Sequence, residues 1–336
     1  MVRAIAILTV LYIHATDGIF IISSDAITNY TIYSRIFNFA SLFIGRLGVP
    51  FFLMISGYLL LDRTYDDERI RNFWSTSCKG LIIVTVIWTI IYVLILQFLI
   101  ASPQVNYAEA GTLFFSHMWY MPMIIGMYLS VPFAAVALKQ FKVITIYQAT
   151  IVFTCLAFLL PFITLICEMH GLNGLTIESC LGFSGGIYGI YIILGYLIKK
   201  GQFKKFSSSK LWVLTIISFV ICVLFQYYAF VINYDFFLWY EFPFVMLGSF
   251  ALFALCSRVE SVKFYSWVKI ISKYSFAVFL IHNIFRLPLL PVVVQLPFSE
   301  PVKAIILWIL LVVFSFAAAA IIYRIPRFGK YILYMR

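Results

Sequence analysis

Residues 80–101 read GLIIVTVIWTIIYVLILQFLIA, 22 residues without one charged side chain. A strand in a globular core runs about 5–6 residues, whereas a helix crossing a hydrocarbon layer ~30 Å thick needs about 20. The stretch is therefore read as a transmembrane helix. Working outward from it, comparable apolar runs fall at about 4–22, 42–61, 117–137, 143–166, 181–198, 211–232, 239–256, 270–287 and 303–323. The composition agrees: 64% of residues are hydrophobic and 11% charged, where a soluble domain carries about 25% charged residues. With a mean hydropathy of +1.03, the chain needs lipid as its main solvent. The expected fold class is all-α, a polytopic membrane protein of about ten helices forming a single transmembrane domain over 1–336. No loop between the runs is long enough for a separate soluble domain.

The basic residues set the expected orientation. With the N-terminus in the cytoplasm, all but four of the 24 Lys and Arg residues fall on inner segments. The exceptions are Arg35, Arg46, Arg286 and Lys303. This positive-inside distribution places both termini in the cytoplasm. It also accounts for the net charge of +11 without nucleic acid, because no basic stripe lies on a soluble domain. The six cysteines are scattered and form no Cys-x-x-Cys pair. No metal site is expected, and most cysteines read as small apolar residues within spans. Cys167 and Cys180 flank one outer loop, which leaves a disulfide open there. Phosphate-loop, dinucleotide and Gly-x-Ser-x-Gly motifs are absent from suitable contexts.

Ionisable residues inside spans are expensive and mark function by default. In RAIAILTVLYIH, Arg3 and His14 are eleven steps apart. At about 100° per step they share one helix face, with a rise of about 16 Å that puts His14 near mid-membrane. Asp17 lies about one turn farther out, within reach of a hydrogen bond to His14. The plainer alternative makes Arg3 a topology charge and His14 a satisfied interior histidine. His282, in KYSFAVFLIHN, lies nine residues beyond Lys273 and thus about 13 Å deep, close to the depth of His14.

Other polar positions are candidates of lower information. Gly45, Gly48 and Gly57 in GRLGVPFFLMISG permit close helix approach, and Ser56 lies in the inner half of the same span. Arg69 and Arg71 sit in the inner loop DRTYDDERIRNF, where guanidinium forks suit phosphate, although a solvated charged loop explains them equally. His117 opens HMWYMP at the outer boundary, where Trp119 and Tyr120 fit an interfacial aromatic belt. Glu241, in WYEFP, lies near the outer end of its helix, to meet an acceptor or to face water.

With these residues in view, the chain resembles acyltransferase family 3, the integral membrane O-acyltransferases. The resemblance is carried by RAIAILTVLYIHA, GVPFFLMISGYL at 48–59, the RIR arginines, HMWYMPMIIGMYLSVP at 117–132 and SFAVFLIHNI at 275–284, in the family's order over nearly the whole chain. The look is closest to enterobacterial common antigen and O-antigen O-acetyltransferases. Two departures stand out. Only Met1 and Val2 precede the arginine, where relatives usually carry several residues. No periplasmic hydrolase-like domain follows the last span.

The resemblance implies a bacterial inner-membrane O-acetyltransferase with no permanently bound cofactor. Acetyl-CoA on the cytoplasmic side is the implied donor. A sugar hydroxyl of an O-antigen or related lipid-linked glycan is the implied acceptor. By the resemblance His14 is the catalytic histidine, Arg3 supports donor binding or catalysis, and Arg69 and Arg71 match an arginine pair tied to activity. The residues themselves add Asp17 in support of His14, the arginines as binders of the donor's phosphates, and Ser56, His117, Glu241 and His282 as substrate or supporting residues. Membrane lipid is the expected partner, nucleic acid is not, and homo-oligomerisation stays open. The competing class is a proton-coupled transporter or flippase for a glycan or small anion, in which buried His, Asp and Glu form a proton relay.

Overall fold

The computed structural model describes residues 1–20, 29–100, 117–172, 186–326 and 329–335. It is built of helices: α1 (Val2–Ile19), α2 (Ile32–Arg46), α3 (Gly48–Leu60), α4 (Asp67–Phe73), α5 (Lys79–Ile100), α6 (Tyr120–Lys139), α7 (Val143–Thr154), α8 (Leu160–Met169), α9 (Gly186–Lys199), α10 (Ser208–Val231), α11 (Pro243–Cys256), α12 (Tyr265–Val294), α13 (Glu300–Tyr323) and the short α14 (Gly329–Ile332). Several join end to end. Among the described residues, eight helical rods are long and apolar enough to cross a membrane, and α9 and α11 are shorter apolar helices. Each corresponds in position to one of the ten expected spans.

The differences from the apolar pattern have local causes. The second span begins at Ile32, not near 42, because Thr31 caps it by accepting from the Ser34 amide (3.2 Å). Its first turns bury Ser34, Asn38 and Ser41 against other helices, so a count of apolar residues misses them. The inner loop after α3 holds a capped helix: Asp66 accepts from the Arg69 amide (2.8 Å), and α4 runs through a π-helical turn at Trp74–Cys78 into α5. A second π-helical turn, Cys155–Leu159, joins α7 to α8. There Pro161 lacks the amide that would continue the regular ladder. The run 239–256 is helical only from Pro243, while α12 continues through Pro288 and Pro291 to Val294.

Glycines set the closest crossings. A Cβ on Gly57 would strike the carbonyl of Ile192, and one on Gly195 would strike the carbonyl of Met54, so α3 and α9 meet backbone to backbone. Gly45 and Gly48 bring α2 and α3 onto Ile13 and Val10 of α1. Helix α1 packs against α2, α3, α12 and α13 and is held at its flanks by Tyr12 Oη to Ser41 Oγ (2.6 Å) and by Trp308 Nε1 donating to the Leu8 carbonyl (3.1 Å).

Helix ends expected on one side of the membrane meet one another. On the expected inner side Asp62 pairs with Lys199 (3.4 Å) and Lys200, Lys139 donates to Thr64 (3.2 Å), and Arg258 donates to the Phe203 carbonyl (3.0 Å). On the expected outer side Ser34 donates to Glu300 (3.0 Å) and Tyr234 to Glu168 (3.3 Å). The open question of a Cys167–Cys180 disulfide lies outside the described residues at Cys180.

Candidate active site

One cavity of about 690 Å³ follows the face of α1 that carries Arg3, His14 and Asp17. Arg3 to Asp17 spans about 21 Å of helix rise, most of a hydrocarbon layer. At the Arg3 end the lining includes Lys273, Ser272 and Tyr334; at the Asp17 end it includes Arg46, Arg286, Trp119, Trp239 and Tyr240. Ser56 and Tyr128 line the wall between and lie 3.4 Å apart. The shared helix face expected for Arg3 and His14 is thus a cavity face.

Three histidines meet at the centre. The His14 ring centroid lies 4.9 Å from that of His282 and 6.4 Å from that of His117, and the latter two are 5.1 Å apart. His14 and His117 line the cavity, whereas His282 is fully buried behind them. His282 Nδ1 donates to the Phe279 carbonyl (2.7 Å), the usual one-turn helix contact, which leaves Nε2 as the acceptor nitrogen. The Asn283 amide donates to His117 Nδ1 (3.2 Å). The neighbouring Tyr92 ring packs against His117 at 5.1 Å and donates its hydroxyl to the Leu280 carbonyl (2.5 Å). Among the described residues, no group of three or more His, Cys, Asp or Glu side chains is arranged to hold a metal ion.

Several expected positions are corrected. His117 is not at the outer boundary; it is buried (1% exposed) beside the other two histidines, because the turn at 117–119 precedes α6 inside the bundle rather than at its edge. Asp17 does not hydrogen-bond His14. A helix turns about 300° over three residues, and the Asp17 carboxylate faces Arg46 Nη2 at 3.7 Å instead. Arg69 and Arg71 are exposed on α4 and do not line the cavity. Arg69 pairs with Asp66 (3.6 Å). Phe73 of α4 packs on the lining residue Tyr128 at 5.8 Å. Glu241 is exposed beside the lining residue Tyr240 and is not itself in the wall.

The main omissions were Arg46, Arg286 and Lys273. The first two are 4% and 7% exposed. Their signal was in the chain already: both violate the positive-inside pattern, and both sit within apolar runs, where a charge needs a functional reason.

A family model described as an acyltransferase domain matches residues 1–324. The chain belongs to acyltransferase family 3. No curated protein and no solved structure matches it. This acyltransferase is thus a multi-pass membrane protein with a cavity that carries the His14 imidazole between two basic ends.

Proposed function

We propose that the protein is a bacterial inner-membrane O-acetyltransferase that moves acetyl from cytoplasmic acetyl-CoA to a sugar hydroxyl of a cell-surface polysaccharide or its lipid-linked precursor. The observation that carries this reading is the disposition of one cavity: cations at the inner end, His14 at mid-depth, and arginines with indole and phenol rings at the outer end. Arg3 and Lys273 suit the phosphates of CoA. Flat Trp119 and Trp239 suit the apolar face of a sugar ring, with Tyr240 adding a hydroxyl. The thioester and the hydroxyl then meet beside His14.

In the proposed step the sugar hydroxyl oxygen attacks the thioester carbonyl carbon while His14 takes the hydroxyl proton. A C–O bond forms, the C–S bond breaks, and the proton passes to the leaving thiolate to give CoA thiol and acetyl ester. His282, fixed by its Nδ1 hydrogen bond to the Phe279 carbonyl and with its ring 4.9 Å from that of His14, orients His14 by packing. Ser56, with Tyr128, supports the wall where the pantetheine arm passes.

The test is transfer from radiolabelled acetyl-CoA to oligosaccharide by the purified full chain in nanodiscs. Label in the glycan, with the mass gain of one acetyl ester, is the expected result. Glycan crossing a sealed vesicle with unchanged mass, and no labelled ester, would overturn the reading in favour of transport.

A further inference from the structure

The outer end of the cavity carries more charge than acyl transfer to a neutral sugar requires. Arg46 donates from Nε to the Leu238 carbonyl (3.1 Å) and stacks over Trp239 (4.2 Å from the ring centroid) and Phe237 (4.7 Å). Its Nη2 is buried with no hydrogen-bond partner among the described residues, and the Asp17 carboxylate stands 3.7 Å off. Arg286 comes from the opposite helix α12; its Nε is likewise buried and unpartnered, and its guanidinium lies against Gly18. One carboxylate, Asp17, stands in the field of both arginines. Its second oxygen is also without a partner among the described residues. Two guanidinium groups, both buried, and one carboxylate leave a net positive charge at this end of the cavity. A buried cation is retained only where a counter-charge meets it. Here the walls supply half of that counter-charge, and the remaining donors belong to a pocket that opens beside an aromatic shelf.

We infer that this end of the cavity is an oxyanion subsite: Arg46 and Arg286 hold a carboxylate or phosphate group, and the adjoining sugar ring lies on Trp119, Trp239 and Tyr240. Guanidinium forks match both oxyanions bidentately. Asp17 keeps the two arginines from repelling each other when the subsite is open and sets its charge at one site for one anion. That the occupant is the acceptor glycan rests on the acyl transfer proposed above; the charge selection does not. The oxyanion then belongs either to an acidic sugar or to the diphosphate of a lipid carrier.

The experiment measures equilibrium binding, without acyl-CoA, to the full chain in nanodiscs of phosphatidylcholine alone. The probes are one neutral oligosaccharide, the same oligosaccharide with a glucuronate residue, and the same oligosaccharide on polyprenyl diphosphate. At least one charged probe should bind about 10-fold or more tightly than the neutral one, and high salt should erode that advantage. Arg286→Gln should bring charged and neutral probes to near parity while the neutral probe still binds, Arg286→Lys should restore part of the preference, and Asp17→Asn should strengthen it. The glucuronate probe alone showing the effect assigns the site to acidic sugars; the diphosphate probe alone assigns it to the carrier. Equal binding of all three probes by the wild type at low salt would overturn the inference, as would an unchanged preference in Arg286→Gln. Charge-selective binding by a protein that transfers no acetyl would overturn the acyl-transfer reading and leave the subsite standing.

Discussion

The imidazoles of His14 and His282 lie 4.9 Å apart, centroid to centroid, with planes inclined by 41°. One faces the cavity and the other is sealed behind it. The two therefore differ in what they can touch. In the acyl transfer proposed above, substrate meets His14, and His282, which does not line the cavity, acts through its neighbours His14 and His117. His14→Ala and His14→Gln should each lower the rate of acetyl transfer by about 10²–10⁴-fold with the protein still inserted and folded. His282→Ala should cost less and lower kcat with little change in the KM for acetyl-CoA. The check is steady-state transfer by purified variants of matched thermal stability. Wild-type turnover by His14→Ala would remove the imidazole from the mechanism.

The α3–α9 crossing has no room for a side chain. Gly57→Ala and Gly195→Ala each push a methyl group into the partner's backbone carbonyl, and backbone yields less readily than a side chain. Each should destabilise the protein by about 1–3 kcal/mol, read as a fall in the unfolding midpoint in detergent. Gly126→Ala in α6 is the control, since nothing lies within 4 Å of the added carbon, and it should be neutral.

The spans were legible because their signal is local: a run such as 80–101 needs no partner to be recognised. The Arg3–His14 face was equally legible, since helix geometry alone aligns two residues on one rod. Contacts between rods were not. Asp17 turned to Arg46 because α2 brings a guanidinium to it, and nothing in HATD points there. His117 read as interfacial from the Trp and Tyr that follow it, yet it sits deep because its turn packs on Tyr92 and Asn283. Arg46 and Arg286 were counted as outer topology charges, a tally that treats every exception as noise although two of the four exceptions line the cavity. Buried polar residues at Ser34, Asn38 and Ser41 hid the first turns of α2, because hydropathy cannot tell a residue facing lipid from one facing another helix.

The inner ends of α3 and α9 are tied by charge as well as by glycine. The hydrogen bond from Lys200, reinforced by Lys199, holds the Asp62 carboxyl below the usual carboxylate range. A carboxyl depressed in the folded state contributes stability that is fully present above its unfolded pKa of about 3.9 and is lost as pH falls through the lower folded value. The three side chains are partly exposed (27–33%), so the contribution should be about 1 kcal/mol or less. Asp62→Asn should therefore lower the unfolding midpoint slightly at pH 5–7, about 1 unit or more above that unfolded pKa. The gap from wild type should close as pH falls below about 4. A gap constant down to the most acid pH at which both fold would show that the pair contributes nothing through its charge.

The donor end can be separated from the inner loop by mutation. Arg3 and Lys273 line the cavity, whereas Arg69 and Arg71 stand exposed on α4 and are not in its lining. If the CoA phosphates lie at the mouth, each cavity cation makes charge-assisted hydrogen bonds that α4 does not. A charged hydrogen bond is worth about 1.5–3 kcal/mol, so Arg3→Gln and Lys273→Gln should each raise the KM for acetyl-CoA by about 10- to 100-fold, with kcat changed far less. Replacing Arg69 and Arg71 together with Gln should raise it by under about 10-fold, since exposed charges act through screened solvent. Arg3→Lys should recover only part of the loss, because an ammonium lacks the planar fork. The measurement is initial-rate transfer over a range of acetyl-CoA at saturating acceptor. A larger effect from the Arg69/Arg71 pair than from Arg3 and Lys273 would move the phosphate site onto α4 and require that helix to fold over the cavity mouth when donor binds.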